Sequence, residues 1–206
     1  MEILSPTAVV IAGINGAGKS TAAEVLLMQF GIDTYLDADA FARALADDPA
    51  RAAVTAGRIM RAEIDRLRDS ASNFALETTM SGMSLRRTLA DLHASGYRSR
   101  LLYLWLPDAH MAVRRVRGRV RLGGHHIPTE DVLRRYLRSV RNFERIYRHL
   151  VDEWRVYHAA FSGSGGGGVM IARGWKSGRV EVYDVKAWRE IQAQAAHVSE
   201  GGGADE

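Results

Sequence analysis

Residues 13 to 20 read Gly13-Ile14-Asn15-Gly16-Ala17-Gly18-Lys19-Ser20, which fits the pattern G-x-x-x-x-G-K-[ST]. Glycines at this spacing let consecutive amides turn inward around an anion, and a helix starting near Lys19 would add its positive end. The Lys19 ammonium would reach the β and γ oxygens of a triphosphate, the Ser20 hydroxyl would ligate magnesium, and Thr21 would touch the α-phosphate. Gly13, Asn15, Gly16, Ala17, Gly18, Lys19, Ser20 and Thr21 are therefore the expected nucleotide-binding residues. Only three of the 28 cationic residues are lysines, and Lys19 is the first of them, followed by Lys176 and Lys186. A chain this rich in arginine has a specific use for that one ammonium.

Two further groups of residues suit phosphoryl transfer. Asp37 and Asp39 follow a short apolar stretch, and Glu77-Thr78-Thr79 closes another. If both stretches are strands of an open α/β sheet, these side chains gather at its carboxyl edge, where such folds bind ligands. Asp39 is read as the general base for a substrate hydroxyl, or as a magnesium ligand through water, and Asp37 as a helix cap that also faces the substrate. Glu77 needs a partner in an apolar setting, and a substrate hydroxyl, a magnesium water or an arginine would serve. Ser81 is expected to cap the following helix.

Charge is concentrated in one region. Residues 111–150 hold eleven arginines and three acids, so the basic character of the chain is a single patch. Arg134, Arg138, Arg141, Arg145 and Arg148 are spaced for one helical face, and Leu133, Leu137, Val140, Tyr147 and Leu150 for the other. The Gly123-Gly124 hinge is expected to carry Arg119, Arg121, Arg134 and Arg135 over a bound triphosphate, where forked guanidiniums match the spread charge of a transferring phosphoryl group. His125 and His126 are read as lid-loop residues, since neighbours in sequence rarely chelate one metal together.

The elements that must position these groups alternate along the chain. Strands are expected at Thr7–Ala12, Asp33–Leu36, Asn73–Glu77, Arg98–Leu106 and Trp154–Ala159, with short strands at Val169–Arg173 and Arg179–Tyr183. Helices are expected at Lys19–Phe30, Ala38–Leu45, Pro49 to about Ser70 (carrying Val54, Ile59, Ile64 and Leu67), Ser81–Ala94, Asp108–Leu122, from Thr129 onward, and Val185–Ala196. Alternation of this kind predicts an α/β fold with a parallel sheet, helices on both faces, a helical lid over about residues 115–138, and a small C-terminal β-hairpin plus helix. The glycine-rich stretch Ser162–Gly168 is expected as a surface loop, Trp105, Trp154 and Trp188 as core, residues 1–197 as one domain and 198–206 as a disordered tail.

Composition bounds the rest. The chain has 206 residues, 47% of them apolar and 25% charged, with no cysteine, which fits one globular domain and excludes a disulfide scaffold or a thiolate nucleophile. The longest apolar run is too short to span a bilayer and the first residues lack a basic region, so the expected location is the cytoplasm, without membrane association.

With these motifs in hand, the sequence resembles the zeta toxin family of P-loop kinases. The resemblance is carried by G-I-N-G-A-G-K-S at 13–20, L-D-A-D-A-F at 36–41, A-L-E-T-T-M-S-G at 75–82, L-W-L-P at 104–107, R-V-R-L-G-G-H-H-I-P at 119–128 and R-R-Y at 134–136. It implies a three-layer fold of P-loop kinase type with a mostly parallel five-stranded sheet, ATP and Mg2+ as cofactors, and phosphate transfer to the hydroxyl of a small molecule. It also implies Asp39 as catalytic aspartate, lid arginines within Arg119/Arg121 and Arg134/Arg135, and Glu77 on the acceptor side. A UDP-sugar such as UDP-N-acetylglucosamine stands among the implied acceptors and an antitoxin protein among the implied partners. The alternative is an ATP-gated nucleic-acid-binding or regulatory module that uses the basic 111–150 segment. The lack of aromatics interleaved with the arginines speaks against single-strand binding.

Overall fold

The computed structural model describes residues 5–38, 40–41, 49–124, 126–159 and 168–197. Seven strands form one sheet: β1 (Thr7–Gly13), β2 (Tyr35–Asp37), β3 (Phe74–Thr78), β4 (Arg98–Trp105), β5 (Glu153–His158), β6 (Val169–Trp175) and β7 (Val180–Val182). Their order is β2-β3-β1-β4-β5-β6-β7. The first five run parallel, while β6 and β7 add antiparallel strands beyond β5. The predicted five-stranded parallel sheet and C-terminal hairpin are therefore one continuous sheet.

Parallel strands need crossovers, and the helices that supply them are α1 (Lys19–Met28), α2 (Pro49–Asp69), α3 (Leu85–Ala94), α4 (Ala109–Arg121) and α5 (Thr129–Arg145), followed by the closing α6 (Val185–His197). Burial on both faces explains the uninterrupted apolar run of β1, in which residues 8 to 12 are fully buried. Beneath α5 and α6 the core is aromatic: Tyr103 stacks on Phe143 with ring centroids 4.5 Å apart, and Trp154 stacks on Trp188 at 5.4 Å. Trp105, Trp154 and Trp188 are all buried, as the sequence predicts.

Three local expectations are corrected. The helix placed at Ser81 begins at Leu85, and Ser84 rather than Ser81 occupies its cap position. Ser81 instead shares a hydrogen bond with Thr79 at 3.0 Å, because Met80 between them adopts a left-handed φ of 57° and turns the chain away from a helix. On α2, Ile64 and Leu67 are buried but Val54 and Ile59 are exposed, since the buried stripe passes through Ala52 and Ala56. On α5 the buried face is Val132, Tyr136, Ser139, Val140 and Phe143, and Leu137 faces outward. Arg148 lies beyond the end of α5, where its guanidinium pairs with Glu144 at 2.9 Å and covers the Trp154 and Trp188 rings. It is not part of a solvated stripe.

Of the helix expected at Ala38–Leu45, Ala38, Ala40 and Phe41 are described and helical; the rest of it, most of the Ser162–Gly168 loop and the 198–206 tail lie outside the described residues. No helix among the described residues is long and apolar enough to cross a membrane.

Candidate active site

Register places the chemistry. Asp37 pairs with Glu77 across β2 and β3, and Glu77 with Ile11 across β3 and β1, so both carboxylates stand on one row at the carboxyl edge. The glycine-rich turn begins two residues further along β1. Gly13 meets the backbone of β4 so closely that an added Cβ would lie 2.5 Å from the Leu104 carbonyl oxygen. At Gly16, with φ +85°, a Cβ would lie 2.8 Å from the carbonyl oxygen of Ala112 on α4. Only glycine permits this approach, so the turn is wedged between β4 and α4. Helix α1 starts at Lys19, directly after Gly18, which sits in the left-handed region.

Lys19 and Glu77 form a buried ion pair at 3.4 Å, their side chains only 6% and 9% exposed. The same carboxylate accepts a hydrogen bond from Ser20 at 3.0 Å and one from the Tyr35 hydroxyl. Lys19 also donates to the carbonyl of Ile14 at 3.4 Å. Burial, and then the Glu77 carboxylate, push the Tyr35 phenol above its ordinary range, so it remains a donor throughout the neutral range. Glu77 therefore contacts Lys19 and Ser20, two of the residues expected to bind the nucleotide. Tyr35 was missed at the sequence level, because a tyrosine opening a short strand carries no motif.

A cleft of 430 Å3 opens beside this cluster, lined by Asp37, Glu77, Thr78 and Thr79 on one side and by Arg134, Arg135 and Arg138 on the other. The structure thus brings the expected Arg134 and Arg135 to the cleft and adds Arg138, the next arginine of the same helical face. Arg135 donates to Asn15 of the glycine-rich turn at 3.4 Å, and Arg134 pairs with Asp131 one turn back. Arg119 and Arg121 are exposed in the last turn of α4 and do not line the cleft. Arg115, also not singled out from sequence, spans from the Gly16 carbonyl (3.5 Å) to that of Ala159 (3.0 Å) and ties the turn to the end of β5. Asp39 and His125 lie outside the described residues.

The floor of the cleft is held from behind by α5 and the short turn that follows it. Ser139 donates to the Thr79 carbonyl at 2.7 Å, Asn142 to the Met80 carbonyl at 2.9 Å, and Tyr147 to the Gly82 carbonyl at 2.8 Å. The first two are among the few buried polar side chains of the molecule. A left-handed, fully buried methionine is a strained position that surrounding bonds must enforce, and these three supply them. A helix with polar groups at 139 and 142 inside an otherwise apolar face was the sequence signal for this role.

Hard oxygen donors suit magnesium, and Ser20 and Glu77 stand within hydrogen-bond distance of each other beside Lys19, a set that fits the ion. Among the described residues no group of three or more His, Cys, Asp or Glu side chains could hold a metal on its own. That is consistent with an ion that depends on phosphate oxygens for the remaining positions.

Comparison with known proteins bears on the fold and the family. An uncharacterized protein of Haemophilus influenzae is 27% identical over 135 residues, covering 65% of this chain and 95% of that one. The structure from the PezAT chromosomal toxin–antitoxin system of Streptococcus pneumoniae superposes with a TM-score of 0.62 at 14% identity, covering 96% of this chain and 86% of that one. The AvrRxo1-ORF1:-ORF2 structure with ATP superposes with a TM-score of 0.66 at 15% identity, covering 97% of this chain and 66% of that one. At such identities the likeness is one of fold, that of a P-loop kinase. The zeta toxin family model matches residues 2–186, nearly the whole of the described sheet and its helices, and the chain belongs to the zeta toxin family.

Proposed function

We propose that the protein is an ATP-dependent phosphotransferase that moves the γ-phosphoryl group to the hydroxyl of a small molecule. The observation that carries this reading is the cluster of Lys19, Ser20 and Glu77 at the mouth of a glycine-rich turn, facing three arginines across one cleft. Family membership and the fold shared with an ATP-bound neighbour support ATP as the donor.

The chain's own residues divide the work. Amides of the turn and the Lys19 ammonium hold the β- and γ-phosphates, while Ser20, with Glu77 through water, would hold magnesium. When bound, that ion neutralises charge on the triphosphate. Arg134, Arg135 and Arg138 face the transferring group from α5 and offset the charge spread over its oxygens. Asp39 accepts the proton of the acceptor hydroxyl, whose oxygen bonds to the γ-phosphorus as the bond to the β–γ bridging oxygen breaks and ADP leaves. Asp37, Thr78 and Thr79 orient the acceptor. Arg119 and Arg121 join only if the α4–α5 turn closes on the nucleotide, which would also exclude water.

Two arginines of the basic segment are already committed inside the protein: Arg115 to carbonyls, and Arg148 to Glu144 and two indoles. This supports the kinase reading over a nucleic-acid groove. The toxin–antitoxin context of the Streptococcus pneumoniae neighbour supports an antitoxin-type protein among the partners.

The test is a screen of hydroxyl metabolites, UDP-sugars first and UDP-N-acetylglucosamine among them, reading ADP release above the background without acceptor. Chelating magnesium should abolish the acceptor-dependent signal. Asp39→Asn should bind ATP and lose transfer, and full transfer by that variant would remove the base assignment.

A further inference from the structure

A second cavity meets the cleft at the end of β3. It measures 450 Å3 and shares Ala38, Glu77 and Thr78 with the polar cleft, so the two are arms of one groove on either side of the same two side chains. Their chemistry differs. The first arm is walled by Arg134, Arg135 and Arg138. The second runs between α2 and α3 and is lined mainly by Gly57, Met60 and Ile64 on one helix, Leu85 and Thr88 on the other, and Leu76 below, with Ser84 and the exposed Arg87 also on its border. Residues 57, 60 and 64 follow helical spacing, so they form one apolar stripe.

Arg61 also borders this arm, but its guanidinium is engaged by Asp91 and by Asp65 at 3.2 Å. Its charge is thereby compensated, and it offers the arm its aliphatic stem more than an anion site.

From this juxtaposition we propose that the acceptor is an amphiphilic alcohol. Its anionic group lies against Arg134, Arg135 and Arg138, its hydroxyl sits at the Glu77–Thr78 junction, and an apolar or planar group fills the arm between α2 and α3. The proposal rests on the phosphotransferase reading and gives it a substrate class. Since an apolar cavity of about 150 Å3 takes up one benzene ring, this arm has room for a fused ring or a short branched chain. A compact polyol would bring hydroxyls against Met60, Ile64, Leu76 and Leu85 and leave them without partners. Its anionic arm alone would then hold it.

Gly57 makes the proposal testable. An added Cβ there meets nothing within 4 Å, and a helix interior favours most residues over glycine, so a larger side chain occupies the arm without cost to the fold. The probes are 2-hydroxyethyl phosphate and 2-hydroxy-2-(2-naphthyl)ethyl phosphate, bound to the full chain in a calorimeter with a non-hydrolysable ATP analogue and magnesium. The naphthyl probe should bind wild-type protein at least about tenfold tighter than the plain one, an advantage that burial of the ring predicts. Gly57→Leu should erase most of that advantage and Gly57→Ala should reduce it in the same direction. Arg138→Ala should weaken both probes alike. Equal affinity of the two probes for wild type, or an undiminished advantage in Gly57→Leu, overturns the proposal. ADP release is followed separately with ATP. The predicted binding pattern without phosphorylation of any acceptor would sink the kinase reading and leave the groove assignment standing, whereas phosphorylation of polar acceptors with no discrimination between the probes would do the reverse.

Discussion

Replacing Glu77 with glutamine removes one charge from a buried pair and leaves the shape nearly unchanged. At 3.4 Å the attraction to Lys19 is worth about 5 kcal/mol gross at an effective dielectric of about 20. Both side chains are nearly excluded from solvent, so the lone Lys19 ammonium cannot recover that energy from water, and breaking such a pair costs about 3–5 kcal/mol. The glutamine carbonyl can still accept from Ser20 and Tyr35, which argues for the low end, about 3 kcal/mol. For a domain of this size that loss lowers Tm by about 6–12 °C. The sign reverses with ligand. ATP without metal supplies the anion that Lys19 lacks in the variant, whereas in wild type the triphosphate must first displace Glu77. Metal-free ATP should therefore bind Glu77→Gln more tightly and raise its Tm by more than that of wild type, closing most of the gap. Differential scanning fluorimetry over an ATP titration in chelator reads both effects. An unchanged Tm in the ligand-free variant, or a gap that persists at saturating ATP, would refute the view that Glu77 holds the place of a phosphate.

Other expectations are more direct. Gly16→Ala forces a left-handed alanine, at about 1–2 kcal/mol, and drives its methyl into the Ala112 carbonyl; a lower Tm and a loss of ATP heat in calorimetry are expected. Asn142→Leu leaves the Met80 carbonyl buried without its donor, at about 1–3 kcal/mol. Because that loop floors the acceptor side, KM for the acceptor should rise well above any change in KM for ATP, and equal changes would count against a positioning role. Stability should peak between about pH 7 and pH 10, as followed by urea unfolding. Burial holds His149 and His158 below their ordinary value of 6.5, so the stability tied to their neutral forms is lost as pH falls below it. Burial raises Tyr35, Tyr97, Tyr103, Tyr136 and Tyr147 above 10.0, so stability is lost as pH climbs past that value.

What the amino-acid sequence determined by itself was local or periodic. The Gly13–Ser20 turn, the strand before it and the helix after it are specified by neighbours in the chain, because left-handed glycines, β-branched runs and helix spacing act over a few residues. Alternating elements then determined the parallel sheet, since short connections leave few other arrangements. Contacts between distant segments could not be read this way. Glu77 lies 57 residues from Ser20, and only the register of β3 against β1 brings its carboxylate to Lys19 and Ser20. Arg138 and Arg148 belong to one arithmetic series in the sequence. Yet the end of α5 at Arg145 and the pitch of that helix over the sheet send one into the cleft and fold the other onto two tryptophans. The Ser81 cap failed for a related reason: bonds from Ser139, Asn142 and Tyr147, residues 60 or more positions away, hold Met80 in a conformation no local preference would choose. Local free energies select the elements; which side chains meet at the candidate site is settled by packing between layers, where burial of α5 on the sheet outweighs the preferences of the six-residue loop between β3 and α3.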